Sequence, residues 1–296
     1  MATLNIKNVP DALYKKLQAR ARHQHRSVAQ EVIHLLTCAV EQPVPRSILE
    51  LRGLGKELWQ GIEATAHIER ERRSWAFDGN GSWPWHVHGF VLTMPSGALI
   101  AVDTGVGDFP PYVPWVESSP GAWEEVRAED IRHVIVTHLH ADHAGGTIVG
   151  GEPAFPNATV HVHEADWSFF AGSTEEDYVA RHSMSALLEL GTLSVTDHDH
   201  EIVPGVQVRH TPGHTPGHRS VIVRDGEDVI VLTGDLLHMP TQVAHPEWWS
   251  SHDEDPQLAA AARRMLLWRA GHDGWRVGVQ HFARPFGRVG PHGWLE

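Results

Sequence analysis

The stretch HLHADHAGG, residues 138–146, follows the apolar run HVIVT at 133–137. His138, His140, Asp142 and His143 fall within six positions at the mouth of what reads as a buried strand. Side chains two apart in extended backbone point to the same side, so His138 and His140 can share one metal. Asp142 and His143 are adjacent and diverge as the chain turns into a helix, which suits a second ion. Neutral imidazole and carboxylate are ligands that zinc and similar divalent ions accept. Gly145 and Gly146 permit a tight turn with close backbone approach. Two ions need more ligands than these four.

Working outward, the rest of the chain supplies them. The run HTPGHTPGH at 210–218 ends the strand-like VQVRH and places His214 at its centre. LTGD carries Asp235 and GVQH carries His281, each just past an apolar strand pattern where sites commonly sit. Around them, VHGFVLTM, a PSG turn and ALIAV read as a hairpin ending at Asp103. IRHVIVT, ATVHVH, VQVRH, SVIVRDG, DVIVLTG and WRVGVQ read as further strands. Helices are expected from Glu164, from about Glu175 to Leu190, and from Pro256 to Ala270. Strands in runs with helices between them predict stacked sheets flanked by helices.

The first forty residues have another texture. TLNIKN alternates as a strand does, and a helix follows Pro10 and Asp11 with Leu13, Leu17 and Ala21 on one face. Ser27 suits the cap of a second helix, with Gln30 reaching back three residues on. One strand and two helices cannot bury a core alone, so a homodimer with paired strands is expected.

The chain has 296 residues, 41% hydrophobic and 21% charged, the composition of a globular protein with a large domain and a small one. Residues 1–77 hold 12 Lys+Arg against 8 Asp+Glu, and residues 78–296 hold 12 against 29. A balance of +4 beside −17 separates two modules and makes the acidic one a poor host for polyanions. No apolar run reaches membrane-span length, MATLNIKNVP lacks the apolar core of a secretion signal, and Cys38 is the lone cysteine. These features lead to the expectation of a cytoplasmic protein without membrane partners.

The ligand-type residues at 138–143, 214, 235 and 281 together resemble the metallo-β-lactamase fold, over about residues 85–290. The resemblance implies an α+β protein built as an αββα sandwich. It also implies two divalent metal ions, zinc first among the candidates. His138, His140 and His214 would bind one ion, Asp142, His143 and His281 the other, and Asp235 would bridge them. The activity implied is a dinuclear hydrolase using a metal-bridging hydroxide, with Asp142 a candidate for passing a proton to the leaving group.

The stretch GDLLHMPTQVAHPEW resembles the branch of quorum-quenching lactonases, arylesterases and methyl parathion hydrolase. Esters and lactones, and also organophosphate esters, are therefore the expected small-molecule substrates. Lactonases of this kind carry a tyrosine three residues after the bridging aspartate, where this chain has His238. His238 is a candidate hydrogen-bond donor or general acid in its place. Trp83, Trp85, Trp248 and Trp249 are candidates to line the mouth, and Asp103, Thr211 and His218 to support the ligand loops.

Residues 2–41 are similar to ribbon-helix-helix antitoxins of the FitA/VapB type. That resemblance implies DNA contacts from Thr3, Asn5 and Lys7 of the paired strands, with Arg20, Arg22 and Arg26 at phosphates. The tail that follows resembles the part of such antitoxins that wraps a PIN-domain toxin. The expected organisation is a ribbon-helix-helix module at 1–46, an antitoxin-tail-like linker at 47–77 and a hydrolase domain at 78–296. Two alternatives remain: a DNA-binding regulator with an inactive or sensory metal domain, and a single-iron oxidative enzyme of the same fold.

Overall fold

A computed structural model describes residues 10–23, 27–33, 85–107, 126–171 and 183–296. The chain divides into two compact units, residues 1–67 and 68–296. In the first, helix α1 spans Asp11–His23, and a further helix occupies 28–33. Ser27 and Gln30 cap that helix reciprocally. The Gln30 amide donates to Ser27 Oγ at 3.2 Å, and the Ser27 amide donates to Gln30 Oε1 at 2.8 Å. Arg20 reaches buried Glu31 at 2.7 Å and ties the two helices together. The strand carrying Thr3, Asn5 and Lys7, together with Arg26 and the 47–77 segment, lies outside the described residues.

The second unit opens with a hairpin of β1 (Phe90–Thr93) and β2 (Leu99–Val102). Then come β3 (Ile131–Ile135), the short helix α2 (Ala141–Ala144), and a small hairpin of β4 (Ile148–Val149) and β5 (Glu152–Pro153). Strand β6 (Thr159–His163) leads into α3 (Glu164–Ala171), and α4 (Ser185–Glu189) precedes β7 (Leu193–Thr196). Of the helix expected from about Glu175, residues 175–182 lie outside the described residues. Four antiparallel strands follow: β8 (His200–Val203), β9 (Val206–His210), β10 (Arg219–Asp225) and β11 (Asp228–Leu232). The chain ends with α5 (Thr241–Ala244), α6 (Pro256–Asp273), β12 (Arg276–Gly278), β13 (Phe286–Gly290) and β14 (Gly293–Leu295).

These strands form a five-stranded sheet, β1-β2-β3-β6-β7, and a seven-stranded sheet, β14-β13-β12-β11-β10-β9-β8. In the first, β2, β3, β6 and β7 run parallel, and the connections from β3 to β6 and from β6 to β7 carry helices. Three apolar layers hold the stack together. Phe90, Ile100, Val102 and Ile135 of one sheet meet Val206, Val208, Val221 and Leu232 of the other. On the outer face of the first sheet, Val134, Val160 and Val162 pack with Phe170, Met184 and Leu187 of the helical segments. Beyond the second sheet, Val231 and Val277 pack with Leu266, Leu267 and Ala270 of α6. Helix, sheet, sheet and helix are thus the four layers of an αββα sandwich.

Helix α6 shows how the local sequence fixes its ends. Asp255 accepts hydrogen bonds from the Gln257 and Leu258 amides, Pro256 takes the first turn, and Gly274 closes it at φ 68°. The helix runs to Asp273 rather than stopping at Ala270, because Gly274 rather than the apolar stripe ends it. Among the described residues no helix is long and apolar enough to cross a membrane.

Candidate metal centre

Strands β3, β11 and β12 end at one edge of the sandwich, and each releases a ligand-type residue shortly beyond its last residue: His138, Asp235 and His281. The loop after β9 adds His214. The ligand atoms of His138, His140, His214 and Asp235 lie within 4.8 Å of one another, and so do those of Asp142, His143 and His281. Asp235 stands between the sets. Its Oδ2 lies 3.3 Å from His214 Nε2 and 3.8 Å from His138 Nε2. Its Oδ1 lies 3.0 Å from His143 Nε2 and 2.9 Å from His281 Nε2. Asp142 Oδ2 is 3.7 Å from each of those two nitrogens.

The donor set fits divalent metal. Buried polar atoms almost always have hydrogen-bond partners, yet His143 Nε2, His281 Nε2 and Asp235 Oδ1 are buried and make no aligned hydrogen bond. Five imidazoles and two carboxylates turned inward, three of their inner atoms left over, form a donor set that suits oxygen- and nitrogen-ligated zinc.

The opposite ring nitrogens are held by the protein. Asp103 Oδ2 accepts from His143 Nδ1 at 2.8 Å, Thr137 Oγ1 at 2.9 Å and Gln280 Nε2 at 2.9 Å, while its Oδ1 accepts from the Thr137 amide at 2.8 Å. Asp253 Oδ1 lies 3.1 Å from His214 Nδ1, and the His86 carbonyl 2.6 Å from His281 Nδ1. Such partners fix tautomer and ring orientation and raise ligand basicity. His218 supports Asp235: its Nδ1 bonds the Thr211 carbonyl at 2.9 Å, and its Nε2 accepts from the Asp235 amide at 3.0 Å. Burial lowers the His218 pKa to about 4, so the ring stays neutral and keeps Nε2 as an acceptor.

Backbone crossings lock the ligand loops. Asp103 adopts φ 56°, the sole positive φ for a non-glycine among the described residues. A Cβ on Gly145 would sit 2.5 Å from the Val106 carbonyl oxygen, and one on Gly146 2.3 Å from that of Thr104. The glycines after HLHADH are there for close approach, and the loop they approach is the one led by Asp103. Asp166 of α3 joins this segment to the His214 loop, accepting from the Leu139 and Gly217 amides and from Thr215 Oγ1.

Charge is divided sharply inside the cluster. Burial would raise the Asp235 pKa, but His143, His281, His238 and His214 outweigh it and hold the carboxyl well below its usual range. Burial would lower His143, yet Asp235, Asp142 and Asp103 carry it well above the usual imidazole value. For His138 and His214 burial wins and their pKa values fall well below it. Burial likewise takes His140 to about 4.

His238 is buried with both ring nitrogens unpartnered, and its Nε2 lies 3.3 Å from Asp235 Oδ2. Gln242 Oε1 accepts from its backbone amide at 2.7 Å and fixes where it stands. Trp85 lies over the cluster, its ring centroid 4.5 Å from that of His281 and 5.8 Å from that of His238. Trp248 instead stacks on His245 at 4.4 Å, Trp249 is exposed, and Trp83 is outside the described residues. Two histidines away from the cluster have local partners: His88 bonds the Phe282 carbonyl, and His272 bonds Asp273.

Asp253, Asp166, Gln280 and Arg263 were not legible as functional. Arg263 of α6 is fully buried and donates to the carbonyls of Leu236, Pro246 and Trp248, at 2.6, 3.1 and 2.5 Å. It also lies 3.5 Å from Asp253 Oδ2, and so braces the loop that carries His238. Only Gln280 had a local signal, its adjacency to His281.

The chain belongs to the metallo-beta-lactamase superfamily, whose family model matches residues 83–269. Residues 2–40 match the Antitoxin FitA-like, ribbon-helix-helix family. An N-acyl homoserine lactonase of Bacillus cereus is 34% identical over 138 residues, 46% of this chain and 51% of that protein. The N-acyl homoserine lactonase AttM of Rhizobium radiobacter is 31% identical over 54% of this chain and 68% of its own. The chain thus spans about half the length of the Bacillus lactonases it matches. Among solved structures, the hydrolase AbOPH of the beta lactamase superfamily superposes with a TM-score of 0.65 at 23% identity, covering 75% of this chain and 83% of that one. AidC, a dizinc quorum-quenching lactonase, gives 0.60 at 21% identity, covering 71% and 78%. At such identities the likeness is one of fold.

Proposed function

We propose that this protein is a dinuclear metal-dependent hydrolase of lactones and esters. The observation that carries the proposal is the convergence of six ligand-type side chains around Asp235, with His143 Nε2, His281 Nε2 and Asp235 Oδ1 left without hydrogen bonds. His138, His140 and His214 would hold one ion, Asp142, His143 and His281 the other, and Asp235 would bridge them, with zinc first among the candidates. Ions held there supply Lewis acidity and a water acidic enough to act as a nucleophile near neutral pH.

The chain's own residues do the rest. Asp103, Asp253 and the His86 carbonyl keep the ligand rings aimed inward, so that little reorganisation is needed during turnover. His238, unpartnered beside Asp235, presents a ring N–H toward a substrate carbonyl. Asp142, the least buried of the acidic ligands, is placed to pass a proton to the leaving oxygen. Trp85 covers one side of the cluster with an apolar face suited to an acyl or aryl group. Lactones lead the substrate classes because the curated relatives are N-acyl homoserine lactonases.

The test is elemental mass spectrometry of the purified chain beside Asp235→Ala, followed by turnover of acyl lactones and aryl esters with and without chelator. Two zinc-like ions per chain, lost in the variant, with chelator-sensitive turnover, is the expected result. One iron per chain would move the chemistry to oxidation, and no metal would remove the catalytic proposal. For the N-terminal unit, the match of residues 2–40 favours a second role as a dimeric DNA-binding module reading bases through Thr3, Asn5 and Lys7. Salt-dependent DNA binding that Lys7→Ala weakens would support it, and salt-independent or absent binding would end it.

A further inference from the structure

The outer face of the second sheet is not covered evenly by α6. Because side chains alternate along strands, Gln207 and Arg209 of β9 share this face with Ile222 and Arg224 of β10, and Thr211 follows just past the end of β9. A groove of about 190 Å³ opens between these residues and Met265, Trp268, Arg269 and Trp275. Its floor is apolar, formed by buried Ile222, Leu266 and Trp275, while Met265 and Trp268 stand largely exposed at its side.

Charge sets the groove apart. Residues 78–296 hold 29 acidic residues and twelve basic ones, all arginine, and three of those twelve line this one groove, which no acidic side chain lines. Arg209 lies 3.5 Å from Asp199, and Arg269 contacts Asp273, both exposed pairs of the kind that yield readily to a better partner. Arg224 is exposed and has no ion pair among the described residues. Its guanidinium lies 5.6 Å from the Trp275 ring, and that of Arg269 lies 5.5 Å from the same ring. Two cations held on one aromatic ring at the lip of an apolar slot complement an anion that carries an apolar tail. The planar fork of arginine matches a carboxylate in two-point fashion.

We infer that this groove is a binding site for a small apolar carboxylate, its carboxyl group on Arg224 and its tail over Trp275 and against Trp268. The site is separate from the metal centre. Its ligand class includes the acid released by opening an acyl lactone or cleaving an ester, but binding itself requires no turnover.

Octanoate and octanol, added to the full chain and followed by isothermal titration calorimetry, test the inference. Octanoate should saturate one site per chain, with octanol at least tenfold weaker. Arg224→Glu should weaken octanoate at least tenfold, Arg224→Lys less, and neither should change turnover or metal content, since Arg224 is an exposed strand residue remote from the ligands. Octanoate binding should persist in Asp235→Ala, which separates the groove from a carboxylate sitting at the metal centre. Absence of saturable binding, equal binding by octanol, equal binding by Arg224→Glu, or loss of binding in Asp235→Ala would each overturn it.

Discussion

Two groups of histidines occupy this sandwich, and they differ in what stands at their centre. At one edge, His138, His143, His214 and His281 surround Asp235, with their outer nitrogens held by Thr137, Asp103, Asp253 and a backbone carbonyl. On the first sheet His133 and His161 face each other at 3.0 Å, and His163 stacks on His210 of the second sheet at 4.2 Å. Nothing acidic is pinned between these rings. Burial drives the pKa of His161 down to about 3 and that of His163 to about 4. Burial of imidazole is therefore common to both groups, and the carboxylate at the focus is what distinguishes a metal centre from packing.

The largest effect is expected from removing that focus. Asp235→Ala should lose both ions and lower turnover by more than the roughly 100-fold that losing a supporting partner costs, measured by metal analysis and steady-state kinetics. Full retention of metal would erase the distinction between the two groups. Asp103→Asn should come next. Asparagine tolerates the left-handed backbone at this position, but its amide nitrogen cannot accept the bonds that Oδ2 receives. Metal affinity should fall by about 10- to 100-fold, read by chelator competition.

The smallest effect lies in the second group. An unfolded chain protonates a histidine near pH 6.5, whereas folded His161 resists until about 3. The unfolded state then binds more protons across that window, so stability falls as pH drops from about 6.5 toward 3. His161→Gln should move acid unfolding to lower pH while leaving turnover and metal content unchanged. A variant that lost metal would show that the two groups are coupled.

The strands that lead to the cluster, and the residues of the cluster itself, were readable because HLHADH, HTPGH, LTGD and GVQH each combine a strand ending with a side chain of metal-ligand type, whereas the short strands β4, β5, β7, β8, β13 and β14 were not. What holds those side chains was not readable. Asp253 and Asp166 come from segments distant in sequence, and they act through single carboxylate oxygens that leave no periodicity. The end of α6 was missed because the capping glycine outlasts the apolar stripe. In the N-terminal unit, the reciprocal cap of Ser27 and Gln30 was legible from spacing alone, since its partners are three residues apart.

The glycine crossings bear on the order of assembly. Where Gly145 and Gly146 pass Val106 and Thr104, backbone meets backbone without intervening side chains. The ligand strap is thereby positioned by the folding of the chain itself, against a loop that carries its own hydrogen-bonding aspartate. An arriving ion meets a site whose walls are already set. Loading should then be a single fast step limited by encounter and by shedding of the ion's water, rather than by slow reshaping of the protein.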